Sequence, residues 1–264
     1  MRTNKLREAW AAGRGTVNGW CGIPSSFSAE IMAHQGWDSL TVDCQHGLID
    51  YQTAVGMLQA ISTTDVVPLV RVPWLEPGIL MKMLDAGAYG IICPMINTPE
   101  EAEKFVSCCS YPPRGQRSFG PIRATIYAGA DYPTKANDTV LKIAMVETQQ
   151  AMDNLDGILS VEGLDGIYVG PADLANSMGK KPGFDPTDET VLGAIRTIVE
   201  SARKHDVFAG IHCGMPAFGR RMIDDGFNFV TLMSDARFLT MQAAAMVNEF
   251  RGSEGKVGQT TGTY

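Results

Sequence analysis

Short runs of β-branched and other apolar residues alternate along the chain with stretches whose apolar positions recur at helical spacing. Parallel strands buried on both faces need such continuous apolar runs, and the stretches between them supply the covering helices. The runs predict strands over residues 16–23, 39–44, 66–72, 89–95, 141–147, 166–169, 207–212 and 227–232. Helices are predicted over 26–35, 51–62, 77–86, 99–110, 149–162, 189–205, 216–225 and 235–250. Local punctuation agrees. Asn97-Thr98-Pro99-Glu100 sets a capping residue before a first-turn proline, and Gly87, Gly163 and Gly226 follow helix ends. Two connections, 111–140 and 173–188, are long enough to stand as extended lobes, a length typical of functional or disordered loops.

Eight strand–helix pairs predict an α/β protein folded as a single (β/α)8 TIM barrel over residues 1–251, with a flexible Gly/Thr/Ser-rich tail over 252–264. A doubly wound open sheet would carry a glycine-rich turn straight after its first strand. Here Gly13, Gly15 and Gly19 precede or begin that strand, and neither G-x-G-x-x-G nor a P-loop pattern occurs. The 264 residues match the size of one barrel, and 45% hydrophobic with 19% charged residues can bury a large core. A net charge of −7 without a local basic run argues against nucleic acid. No stretch approaches the apolar length of a membrane span, and the charged N-terminus lacks the apolar core of a signal peptide, so a cytoplasmic location is expected. The six cysteines include no C-x-x-C pair and read as buried thiols.

Barrel enzymes work at the carboxyl ends of their strands. The polar residues there are Asp43 and His46 in TVDCQHG, Arg71 in PLVRVP, Glu147 in IAMVET, Asp173 in YVGPADL and His212 in AGIHC. Glu147 and Asp173 lie 26 residues apart, close to one βα repeat, which makes them neighbours on the rim. Two such carboxylates suit a hard divalent ion, and equally suit helix first turns. In the fifth strand Leu141, Ile143, Met145 and Glu147 share one face, while Lys142 points the other way at the opposite end. That turns the obvious Schiff-base lysine away and favours metal over imine catalysis. Asp43, three residues before His46, is placed to orient its imidazole, although a structural histidine fits as well. Arg71 sits in so apolar a run that it needs an anion, and a ligand anion is favoured over a protein carboxylate. Backbone N–H groups of Gly170-Pro171-Ala172-Asp173 are candidates to receive a carboxylate, whereas His212 and Cys93 read as pocket lining or core.

The segments GWDSLTVDCQHGLIDY, VPLVRVPW, LDAGAYGIICPMINTPEEAE, YPPRGQRSFGP, VETQQAMDNLDGI and GIYVGPADLANSMG follow one another between Trp37 and Gly179. Together they resemble the HpcH/HpaI family of class II pyruvate aldolases, barrels of the phosphoenolpyruvate/pyruvate type that include 4-hydroxy-2-oxoheptanedioate and 2-dehydro-3-deoxyglucarate aldolases. The resemblance implies a divalent metal (Mg²⁺, Mn²⁺ or Co²⁺) on Glu147 and Asp173, chelating the keto and carboxylate oxygens of pyruvate. It implies Arg71 on the keto oxygen, and His46 oriented by Asp43 handling the proton of the substrate hydroxyl. It also implies a homo-oligomer, trimer or hexamer, in which Asp85 reaches a neighbouring subunit's site. Met145 stands where the family often has glutamine, and SFGPIRATIYAG resembles a subgroup, so the aldehyde partner stays open. An acyl-CoA lyase of the citrate lyase β-subunit type, an oxaloacetate decarboxylase and a catalytically silent barrel are the alternatives.

Overall fold

The computed structural model describes residues 1–252, and the predicted tail lies outside the described residues apart from Gly252. Eight parallel strands close into a barrel in sequence order, as predicted: β1 (Thr16–Cys21), β2 (Ser39–Asp43), β3 (Val67–Arg71), β4 (Gly90–Cys93), β5 (Leu141–Val146), β6 (Gly166–Val169), β7 (Phe208–Cys213) and β8 (Phe229–Leu232). Register is continuous around the ring, with Val17 beside Val230 closing it. Nearly every strand residue is buried, the expected fate of apolar runs packed on both faces.

The helices run α1 (Lys5–Ala11), α2 (Ser26–Ala33), α3 (Tyr51–Ile61), α4 (Pro77–Asp85), α5 (Pro99–Cys109), α6 (Ile122–Ala128), α7 (Tyr132–Thr139), α8 (Gln149–Asp153), α9 (Leu155–Leu159), α10 (Pro171–Ser177), α11 (Glu189–Lys204), α12 (Pro216–Asp224) and α13 (Asp235–Arg251). The motif at Thr98 is a capping box, with Thr98 and Glu101 each serving the other's backbone N–H. Gly87, Gly163 and Gly226 take positive φ just past their helices, where a side chain would be strained.

Four departures from the predicted elements have local causes. The helix predicted over 149–162 breaks into α8 and α9 at Asn154, whose Nδ2 donates to the carbonyls of Asn97 and Gln150. The 111–140 connection is no open lobe, since it holds α6 and α7, and Asn137 Oδ1 accepts the Tyr111 N–H to pin it down. The 173–188 connection starts inside α10. Before the barrel, α1 is started by Asn4, whose Oδ1 accepts the Leu6 N–H while Nδ2 donates to the carbonyls of Tyr89 and Thr139. All six cysteines are buried free thiols, and no helix among the described residues is long and apolar enough to cross a membrane.

Candidate active site

Strand direction alone brings Asp43, Arg71, Glu147 and the start of α10 to one end of the barrel. Register pairs Asp43 with Arg71 and Val146 with Val169, so Glu147 emerges beside Gly170. A small cavity there is lined by Arg71, Met145, Glu147, Tyr168, Gly170–Asp173, Phe184 and His212. Glu147 and Asp173 therefore line one cavity, the adjacency on the rim that their spacing predicts.

Glu147 is 2% exposed. Burial raises its pKa, and the charge of Asp173 adds to this against the Met95 N–H and Arg71, leaving it at about 7. Its Oε1 accepts the Met95 N–H at 2.9 Å. Its Oε2 lies so close to Gly170 that a Cβ there would sit 2.3 Å away. A side chain at position 170 would therefore push the carboxylate out of this position. α10 begins with Pro171, which has no N–H, so the helix leaves the Ala172 and Asp173 N–H groups without intrahelical acceptors at the cavity wall. Met145 also lines the cavity, its Cε beside the Gly170 position, which puts a thioether on the Glu147 side of β5. Lys142 lies at the other end of the strand, paired with Asp165 at 3.1 Å and donating to the carbonyls of Asn137 and Val140.

Arg71 corrects one expectation. Arg71 was read as favouring a ligand anion, yet a protein carboxylate is present: Nε and Nη2 donate to Asp43 Oδ1 and Oδ2 at 2.8 and 2.7 Å. Five N–H donors allow a guanidinium to serve a carboxylate and a ligand together, and Arg71 lines the cavity as well. Asp43 was read as the partner that orients the His46 ring. Its oxygens accept from Arg71, from Trp20 Nε1 at 3.2 Å and from the backbone N–H groups of Gln45 and His46, which ties the His46 backbone to the same carboxylate. Burial favours a protonated Asp43, but the hydrogen bonds and charge of Arg71, with Trp20 and Gln45, outweigh it and hold the pKa below the usual value. His46 stands exposed at the mouth. Partial burial and the Arg71 charge lower its pKa against Asp43 and Asp173, so the imidazole is neutral at pH 7.

Asp85 ends α4, at the opposite pole from Glu147 and Asp173 in its own chain. Arg117 holds it at 2.7 Å and is itself fixed by Tyr132 Oη.

The aromatic frame escaped the sequence reading. Arg71 Cζ lies over the Trp20 ring, 4.8 Å from the ring centroid, and Phe184 stacks on His212 at 4.5 Å. His212, read as pocket lining, occupies that place: it lines the small cavity and also a mouth cavity of about 670 Å³ bounded by Ile23, Leu48, Phe184, Met215, Met233 and Arg237. Trp20 and Tyr168 sit in apolar strand runs, where an aromatic ring and a core residue look alike in sequence. Their in-facing parity was the available signal.

A family model described as HpcH/HpaI aldolase/citrate lyase matches residues 20–240. The hydroxypyruvate/pyruvate aldolase of Rhizorhabdus wittichii is 41% identical over 248 residues, 94% of this chain and 99% of the relative. The 4-hydroxy-2-oxo-heptane-1,7-dioate aldolase of Salmonella paratyphi B is 34% identical over 264 residues, 99% of each chain. Among solved structures, an HpcH/HpaI aldolase/citrate lyase family protein from Burkholderia cenocepacia superposes with a TM-score of 0.88 at 30% identity, over 94% of this chain and 100% of that one.

Proposed function

The chain belongs to the HpcH/HpaI aldolase/citrate lyase family, and from that premise we propose that it is a carbon–carbon lyase that reversibly cleaves 4-hydroxy-2-oxo acids to pyruvate and an aldehyde. The observation that carries this is the pair of carboxylates, Glu147 and Asp173, sharing a small cavity with Arg71 at the strand exits. The names of the Rhizorhabdus and Salmonella relatives support the same chemistry.

The site fits a divalent cation. Glu147 is pushed up to about 7 by burial and by the second carboxylate beside it, and Gly170 leaves room for its Oε2. Oxygen donors of this kind suit Mg²⁺, Mn²⁺ or Co²⁺, with Glu147 and Asp173 as the protein ligands and open positions for water and substrate. When bound, the ion supplies a Lewis-acid charge that stabilises the enolate.

The chain's own groups do the rest. The Ala172 and Asp173 N–H groups receive the carboxylate of the keto acid. Arg71, fixed by Asp43 and Trp20, presents its charge to the keto oxygen without reorganising. Neutral His46 accepts the proton of the C4 hydroxyl. The C3–C4 bond then breaks, the hydroxyl-bearing carbon leaves as an aldehyde, and the electron pair passes into the enolate of pyruvate, which is protonated at C3. The mouth cavity receives the aldehyde. Asp85 reaches a neighbouring subunit's site in a homo-oligomer within this same reading, with Arg117 holding its carboxylate in place.

An acyl-CoA lyase would need basic side chains for the CoA phosphates. Arg237 is the single Lys or Arg among the described residues lining the mouth. A coupled pyruvate assay on 4-hydroxy-2-oxo acids with Mg²⁺, Mn²⁺ and Co²⁺ tests the proposal. Pyruvate release should stop with excess chelator and in Glu147→Ala or Asp173→Ala, which should also lose metal binding. Chelator-resistant turnover trapped by borohydride would sink it.

A further inference from the structure

Inside the barrel a chain of hydrogen bonds ends on His212. Ser39 and Thr41 hydroxyls donate to Asn18 Oδ1 at 2.8 and 3.2 Å, which leaves Asn18 Nδ2 to donate to Thr231 Oγ1 at 3.0 Å. Tyr168 donates its phenolic proton to the same Oγ1 at 2.7 Å. With that proton committed, the Tyr168 oxygen meets His212 Nδ1, 3.2 Å away, as an acceptor. Nδ1 therefore carries the hydrogen. Burial, with the Arg71 charge, lowers the His212 pKa to about 3, so the ring holds one proton and Nε2 presents a lone pair.

The ring cannot turn away. Phe184 stacks on one face at 4.5 Å and Trp20 meets it edge-on at 5.1 Å. Among the described residues His212 lines both the mouth cavity and the small cavity of Glu147 and Asp173. It thus stands at the seam where the aldehyde half and the pyruvate half of a substrate join.

We propose that His212 determines specificity as a fixed hydrogen-bond acceptor, its Nε2 receiving a hydroxyl that the substrate carries within one carbon of the bond made or broken. This rests on the aldolase reading. Such a hydroxyl has two sources: C3 of a hydroxylated keto acid, or the carbon next to the carbonyl of a hydroxyaldehyde. Substrates with it are preferred, since their deoxy analogues leave a buried acceptor unanswered.

The test compares kcat/KM for hydroxypyruvate against pyruvate with one aldehyde, and for glycolaldehyde against acetaldehyde with pyruvate, in wild type, His212→Phe and His212→Gln. Phenylalanine keeps the ring stack and removes the acceptor; glutamine restores an acceptor. Wild type should prefer the hydroxylated partner by about tenfold in one arm, the size of one neutral hydrogen bond. The arm that responds identifies the source of the hydroxyl. His212→Phe should bring that ratio close to one, and His212→Gln should restore part of it. A ratio unchanged in His212→Phe overturns the proposal.

Two further measurements do not depend on turnover. Histidine-selective ¹⁵N NMR on the four histidines, assigned with His212→Phe, should show the Nδ1–H tautomer at pH 7, and an Nε2–H tautomer overturns the proposal. Calorimetry of hydroxypyruvate, pyruvate, glycolaldehyde and acetaldehyde with the Mg²⁺-loaded protein should show the same preference in affinity. If no substrate pair turns over, the aldolase reading fails, while the tautomer and the binding ratios still decide the role of His212.

Discussion

Asp43 and Arg71 are each 3% exposed and joined by two short hydrogen bonds. Removing one partner leaves the other charge buried without its hydrogen-bonded counter-charge. Asp43→Leu takes both carboxylate hydrogen bonds from the guanidinium, for which the Trp20 ring offsets little, and should cost about 3–5 kcal/mol. Arg71→Met leaves a carboxylate that still accepts N–H groups from Trp20, Gln45 and His46. Its loss should be smaller, about 2–3 kcal/mol. The double variant Asp43→Leu/Arg71→Met removes both charges for two apolar side chains and should fall within about 2 kcal/mol of wild type. The predicted coupling is then at least about 3 kcal/mol, at or above the upper end for interacting residues. Urea unfolding measures it: midpoints should shift while the slope holds. Losses in the double variant that equal the sum of the singles within about 0.5 kcal/mol would refute the argument. Every variant should lose pyruvate release, which separates the pair's catalytic use from its cost to folding.

Because the folded pKa of Asp43 is depressed, its contribution to stability is present above the ordinary carboxylate value near 4 and is lost as pH falls through the lowered value. The double variant should therefore show a shallower acid-unfolding curve than wild type, and superimposable curves would contradict this. Gly170→Ala places a methyl group 2.3 Å from Glu147 Oε2, so the carboxylate must swing aside. Mn²⁺ affinity by calorimetry should drop about 10–100-fold, as when a group that orients a metal ligand is disturbed; wild-type affinity would mean that Glu147 is not a ligand. Trp20→Phe keeps a ring under Arg71 and loses the Nε1 donor, which should cost about 1–2 kcal/mol in urea unfolding. An unchanged midpoint would show that the Trp20–Asp43 hydrogen bond contributes nothing.

Much of the barrel was legible because its determinants are local. A buried parallel strand must be a short apolar run, and α5 announces itself by Thr98, Pro99 and Glu101. The neighbourhood of Glu147 and Asp173 was legible for a related reason: one βα repeat is a translation around the ring, so sequence spacing converts into adjacency. What stayed hidden depends on contacts distant in sequence. α6 and α7 are short and lack a sustained apolar period, so tertiary packing decides them. Arg71 showed that it needed an anion but not which one. Asp43 lies 28 residues earlier, and only the β2–β3 register sets the two side by side.

That register also bears on the charge of the site. Asp43 offsets part of the Arg71 charge within the barrel wall, and what remains counters Glu147 only in part. Glu147 and Asp173 then stand as an excess of negative charge, and the pKa of Glu147, raised first by burial and further by Asp173, expresses it. A lone proton relieves half of it. A dication relieves all of it, and the N–H groups of Ala172 and Asp173 remain to hold a keto acid's carboxylate. On this reading the protein folds around an incomplete charge set, and the bound ion that completes it is also what makes an enolate affordable there.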